Sequence, residues 1–215
     1  MSRRLLWDVD TQVDFMLPEG KLYVPGAEET ATAMKRLVEA ARAAGIVHVA
    51  SADDHELIDD EISDAPDFST TYPPHCLRGT RGARKVPETE QEDPVPIGLD
   101  PFPDRFLERG REFLLLKKNF DVFTNSNAER LLERLDPEEV ILFGVATDVC
   151  DDAAIRGLLE RGRKVRFVED AARGLDERRV ETSFAAWRER GVRFTTTDDV
   201  VAALARSGRE RQITV

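Results

Sequence analysis

Val140-Ile141-Leu142-Phe143-Gly144-Val145-Ala146-Thr147-Asp148-Val149-Cys150 passes from an apolar run into a polar turn that ends on a cysteine. Val140–Val145 reads as a strand too apolar for a half-exposed edge, because a parallel strand covered on both faces has no polar side. A helix is expected to open near Thr147 or Asp148 and to run to Gly162. On either side the pattern repeats. Leu5–Val9, Ile46–Ala50, Glu112–Leu116, Val165–Val168 and Val192–Thr195 read as strands. Glu28–Ala44, with Ala33, Leu37, Ala40 and Ala41 at helical spacing, reads as a helix, as do Ala128–Leu135, Glu177–Arg190 and Asp198–Ala205. Apolar strands alternating with helices predict parallel βαβ units and a doubly wound α/β sheet. Between Asp53 and Arg111 lie most of the chain's prolines and little periodicity. We expect a long functional loop region there.

The 215 residues are expected to form a single domain, 1–215. Hydrophobic residues make up 41% and charged residues 34%, which supports a packed core and excludes wholesale disorder. The net charge of -11 repels phosphate, so nucleic acid and anionic membrane are not expected as partners. Apolar runs are far shorter than the ~20 residues that span a bilayer. Leu5–Trp7 is too short for the apolar region of a signal peptide, and we expect a cytoplasmic protein. Cys76 and Cys150 are too few for a disulfide framework.

Ligands of open α/β sheets bind at the carboxyl ends of the strands. The residues that follow the strands are Asp8 and Asp10; Asp53, Asp54 and His55; Lys117 and Lys118; and the turn ending in Cys150. Cys150 falls in the first turn of a predicted helix, where free amides and the helix dipole favour a thiolate and could hold an oxyanion. Its bland alternative is a small buried hydrophobe. Among the acids Asp8, Asp10 and Asp14, Asp10 is the candidate acid/base and the other two read as structural. One of Lys117 and Lys118 would be buried beside the thiol and stabilise nearby anions, the other solvated. Asp53, His55 and His75 are metal candidates, since two imidazoles and a carboxylate leave positions open for water or substrate. The competing reading is an exposed acidic loop. His48 lies within a strand and reads as a core residue.

Asp10-Thr11-Gln12-Val13-Asp14-Phe15 resembles the opening motif of the isochorismatase-like cysteine hydrolases, which include nicotinamidases. Gly144–Cys150 resembles their nucleophile segment. Lys117 stands six residues before Phe123, as the family's catalytic lysine does before a phenylalanine, and that selects Lys117 over Lys118. Asp53-Asp54-His55 and Pro74-His75-Cys76 resemble the ligands of the metal-binding nicotinamidase branch. The resemblance runs from about Leu5 to Thr195.

That resemblance implies a three-layer α/β/α domain around a six-stranded parallel sheet. It implies a catalytic triad of Asp10, Lys117 and Cys150, a cis peptide at Val145–Ala146, and an oxyanion hole from the Ala146 and Cys150 amides. It implies substrate contacts from Phe15, from Tyr72 where the branch commonly has Trp, and from Val149 where it often has Tyr. It also implies a divalent ion, zinc first, on Asp53, His55 and His75, and a homo-oligomer. The expected function is a cysteine-dependent amide hydrolase acting on a small carboxamide through a thioester and releasing ammonia. Cleavage of a vinyl ether, as in isochorismatases, is the alternative within the family. That branch typically lacks the metal ligands. A degenerate binding protein would not need an intact triad.

Overall fold

The computed structural model describes residues 3–101, 103–106 and 110–213. Of the proline-rich stretch, positions 102 and 107–109 lie outside the described residues. Strands β1 (Arg4–Val9), β2 (Val47–Asp53), β3 (Val95–Ile97), β4 (Glu112–Lys117), β5 (Glu139–Val145), β6 (Lys164–Arg173) and β7 (Arg193–Thr195) form one sheet. Its order is β3-β4-β2-β1-β5-β6-β7 and every pair is parallel.

The sheet therefore has seven strands rather than the six expected. The additional strand, β3, is three residues long with Pro96 at its centre. It pairs only with β4 at the edge, where a residue lacking an N–H can be accommodated. Pattern reading passes over such a strand because a proline in a short run argues against one. The 53–111 stretch is otherwise tied down by isolated bridges, His55 to Leu77, Ile62 to Tyr72 and Lys85 to Gln12.

Helices α1 (Val13–Met16), α2 (Ala31–Ala43), α3 (Ser126–Leu135), α4 (Asp152–Glu160), α5 (Glu177–Glu189) and α6 (Thr197–Ile213) complete the three layers. Alternating sheet residues feed two cores. Leu5, Trp7 and Leu142 pack with Leu131 of α3, Ile155 of α4 and Trp187 of α5. Leu6, Ile141 and Phe143 pack with Leu37 of α2 and Leu204 of α6. Burial of every residue of β5 follows from this double coverage. Among the described residues no helix is long and apolar enough to cross a membrane.

The chain leaves β5 differently from the expectation. Thr147–Asp151 forms a π-helical turn, and α4 begins only at Asp152. Cys150 thus sits in a wide turn ahead of the helix, a local irregularity often found at functional sites. The Val145–Ala146 peptide is cis.

Strand order reverses between β1 and β5, so a crevice opens there at the strands' carboxyl ends. Close approach of the two strands depends on Gly144. Its φ is +147°, and a Cβ there would lie 2.2 Å from the Val9 carbonyl oxygen. Gly144→Ala is expected to lower unfolding stability by about 2 kcal/mol or more. Urea denaturation checks this, and a variant as stable as the parent would show that the strands separate there without penalty.

Candidate active site

β1 ends at Val9, and Asp10 then takes a left-handed backbone (φ 49°) that turns the chain out of the sheet. Among non-glycine residues, aspartate is one of the few that visit this region readily. The Asp10 carboxylate is fully buried. Its Oδ1 accepts from Ser51 Oγ at 2.7 Å and its Oδ2 lies 2.9 Å from Lys117 Nζ. Lys117 ends β4 and pairs in register with Asp53, the last residue of β2. Its ammonium, 1% exposed, donates to Asp53 Oδ1 and lies 3.8 Å from Cys150 Sγ. The alternation of β4 turns Lys118 the other way, where it pairs with Asp59 at 2.7 Å. Asp10, Lys117 and Cys150 therefore meet in one buried cluster.

The charges of this cluster are mutually dependent. Burial opposes the Lys117 charge, but Asp10 and Asp53 outweigh it and hold the ammonium well above its usual range. Burial pushes the Asp10 carboxyl up, against the pull of Lys117. Burial likewise pushes the Cys150 thiol well above its usual range, although Lys117 draws it down. This departs from the thiolate expected at a helix start: desolvation exceeds the help from neighbouring donors. Burial favours the protonated sulfur, so a nucleophilic role calls for an adjacent base.

Asp53, His55 and His75 present three ligand atoms within 4.8 Å of one another. His75 Nδ1 donates to the Pro73 carbonyl at 2.8 Å, and His55 Nδ1 lies 3.2 Å from Asp59 Oδ2. Both contacts place the ring proton on Nδ1, leaving lone pairs at Nε2. These face Asp53 Oδ2 at 3.6 and 3.8 Å, and His55 Nε2 is buried without a partner. Three acceptors converging on one point fit a cation. The buried cluster is thus not the exposed acidic loop of the competing reading.

Several residues outside the expected site build this arrangement, among them Asp14, which the sequence reads as structural. Gln12 accepts from the Asp53 amide at 2.7 Å and donates to the Asp53 carbonyl at 2.8 Å. Asp14 Oδ2 accepts from the Cys76 amide at 2.7 Å, beside His75. Lys118 and Asp59 brace His55. Glu61 is buried on the pocket wall, and burial followed by the Asp53 charge raises its carboxyl. Gln12 has a usable signal, a long polar side chain placed just after a buried strand. Glu61 has none within a stretch crowded with acids.

The cluster opens into a pocket of about 210 Å³ whose wall includes Phe15, Tyr72, Val149, Ala146 and Cys150. The Phe15 and Tyr72 rings lie 5.5 and 6.4 Å from the His75 ring. A larger cleft, about 900 Å³, lies at the opposite strand ends beside His48. It contains no nucleophile, and its Arg42 pairs with Glu92 and Glu112, so chemistry belongs to the smaller pocket.

Asp151, next to the nucleophile candidate, is fully buried, and no cationic side chain pairs with it among the described residues. Burial, reinforced by the Asp10 charge, pushes its carboxyl well above the usual range. Folding therefore takes up a proton at Asp151. Such a group adds stability below its unfolded pKa of about 4, and that stability is lost as pH rises toward the folded value. Between about pH 4 and pH 7, the parent's urea-derived stability should fall relative to that of Asp151→Asn. Parallel profiles would show that Asp151 is ionised.

Comparison with known proteins accords with this geometry. The isochorismatase domain model matches residues 5–199. A nicotinamidase from Escherichia coli is 25% identical over 194 residues, covering 82% of this chain and 85% of that protein. A nicotinamidase/pyrazinamidase from Mycobacterium tuberculosis is 29% identical over 187 residues, covering 86% and 93%. A solved pyrazinamidase from Pyrococcus horikoshii in complex with zinc superposes with a TM-score of 0.71 at 22% identity, covering 90% of this chain and 99% of its own. With the domain matched over nearly its whole length, the chain belongs to the isochorismatase-domain family of isochorismatase-like cysteine hydrolases.

Proposed function

We propose that the protein is a cysteine-dependent hydrolase of small carboxamides, of the nicotinamidase/pyrazinamidase kind, releasing ammonia. The observation that carries this is the buried Asp10–Lys117–Cys150 cluster at the floor of a small pocket, beside three converging metal ligands. The E. coli and M. tuberculosis relatives named above support the same reading.

The chemistry follows from where protons can go. Asp10 takes the Cys150 proton, and Lys117 holds the resulting negative charge in place. The sulfur attacks the amide carbon. The amides of Ala146 and Cys150 are the donors assigned to the developing oxyanion. Asp10 returns its proton to the leaving nitrogen, and ammonia departs from a thioester. Water, deprotonated by Asp10, then attacks the thioester carbon, which releases the acid and restores the thiol. The raised Asp10 carboxyl suits this traffic, since it accepts a proton more readily than an ordinary carboxylate. Phe15, Tyr72 and Val149 flank the acyl group.

Asp53, His55 and His75 would hold one divalent ion, zinc first given two imidazoles and a carboxylate. When bound it supplies a fixed positive centre that a substrate ring nitrogen can meet, and so orients the ring. His55 and His75 keep their lone pairs aimed at that centre through Asp59 and the Pro73 carbonyl.

Ammonia release from nicotinamide and pyrazinamide tests the assignment. Cys150→Ala should lose activity by about 1,000-fold or more, and Lys117→Ala by about 100-fold or more, with Lys118→Ala far milder. A dead Lys118→Ala beside an active Lys117→Ala would overturn the placement. Limiting iodoacetamide should label Cys150 ahead of Cys76. Cys76 is fully buried away from the pocket, whereas Cys150 lines the pocket wall.

Elemental analysis of protein purified without chelator or affinity tag should find one divalent ion per chain. Chelation should raise KM while leaving Cys150 open to alkylation. Metal-free protein with unchanged activity after chelation would remove the metal from the reading.

A further inference from the structure

The reactive pocket does not end at its own wall. A second groove of about 500 Å³ runs along α4 and the turn before it, from Asp148 to Glu160. Phe68, Tyr72, Phe120, Val149 and Arg179 line both spaces. The partition between them is thus one layer of side chains, part of it exposed. Phe68 is 65% exposed, on a turn closed by Asp67 accepting the amides of Ser69, Thr70 and Thr71. The Arg179 side chain is 61% exposed. Val149 is half-buried and packed against both cores, directly before the nucleophile candidate. Valine there is short and leaves more room between the two spaces than a longer side chain would.

The groove differs from the pocket in chemistry. Pocket walls are largely aromatic and aliphatic, whereas the groove carries charge. Arg179 is held by Asp148 at 3.3 Å and Arg156 by Asp152 at 2.6 Å. Asp121 and Glu160 also line the groove, and no cationic side chain pairs with either among the described residues. The groove is therefore net negative, and a cationic or hydrogen-bond-donating group is the complement.

We propose that pocket and groove form one substrate channel with Val149 at its neck, and that the preferred carboxamide carries an acyl substituent that passes Val149 and ends in a cationic group. This rests on the amide-hydrolase reading above and specifies its substrate class. Carbonyl and ring occupy the pocket at Cys150. The tail crosses between Phe68 and Tyr72 on one side and Val149 on the other, and its charge meets Glu160 and Asp121.

The test uses nicotinamide, nicotinamides bearing an aminopropyl chain meta or para to the carboxamide, and matching butyl-chain compounds. Ammonia release gives kcat/KM for each. The parent should prefer at least one aminopropyl isomer over nicotinamide by about tenfold or more. Val149→Tyr should reduce that ratio about tenfold, with thermal melting confirming that it folds. Should Val149→Tyr not fold, Glu160→Gln serves: it should cut the preference for aminopropyl over butyl severalfold, mainly through KM. A parent preference for bare nicotinamide, or a ratio unmoved by both variants, overturns the channel and leaves the amide-hydrolase reading intact. No Cys150-dependent ammonia from any of these compounds overturns both.

Discussion

A lysine ammonium at the floor of the pocket is the group on which the other charges depend. Lys117 is 1% exposed and would not keep its charge alone in such surroundings. Asp10 and Asp53 compensate it, and it in turn separates two carboxylates that would otherwise repel. Removing one member of a buried ionic set of this kind costs about 3–5 kcal/mol, because the others are left uncompensated. The register of the sheet makes the set possible: Asp53 and Lys117 are directly paired at the last rung of β2 and β4. Cys150 reaches the same ammonium from the far side of β1.

The segment leaving β1 organises what surrounds that charge. Each of its polar residues holds a different part of the molecule. Thr11 donates to Asp8 at 2.8 Å and meets Thr89 at 2.6 Å. Gln12 grips the backbone of Asp53, and Asp14 the amide following His75. Behind them Lys85 pairs with Asp8 at 2.9 Å and donates to the Ser51 carbonyl at 3.3 Å, while the Ser51 hydroxyl rests on Asp10. The proposed reactive groups and the candidate metal ligands therefore share one polar frame. A shift in one set would be felt by the other.

Much of this was legible in the residues. The apolar run of β5 and the alternation of strands with amphipathic helices give the layers, since burial on both faces leaves a plain pattern. The cluster Asp10, Lys117, Cys150 and the candidate ligands Asp53 and His55 stand at strand ends or shortly beyond them, where topology concentrates function, while His75 comes from the long loop after β2. Less legible was whatever depends on long-range geometry. β3 is too short and contains Pro96. The π-helical turn before α4 looks like a helix start, because both begin with the same polar residues. The bracing of His55 by Asp59 and Lys118 needs spatial proximity that spacing alone does not reveal. The upward push on the thiol follows from burial, which sequence conveys only indirectly.

An all-parallel sheet also has a consequence for how the molecule reaches its native state. No strand pair can be closed by a tight hairpin, so every pairing waits for a crossover. The contacts of the pocket floor span 41 residues from Gln12 to Asp53, 64 from Asp53 to Lys117 and 33 from Lys117 to Cys150. Contacts of such separation slow folding, since chain entropy is lost before they form. The pocket floor therefore depends on long-range pairing throughout, and no short contiguous fragment of the chain carries it.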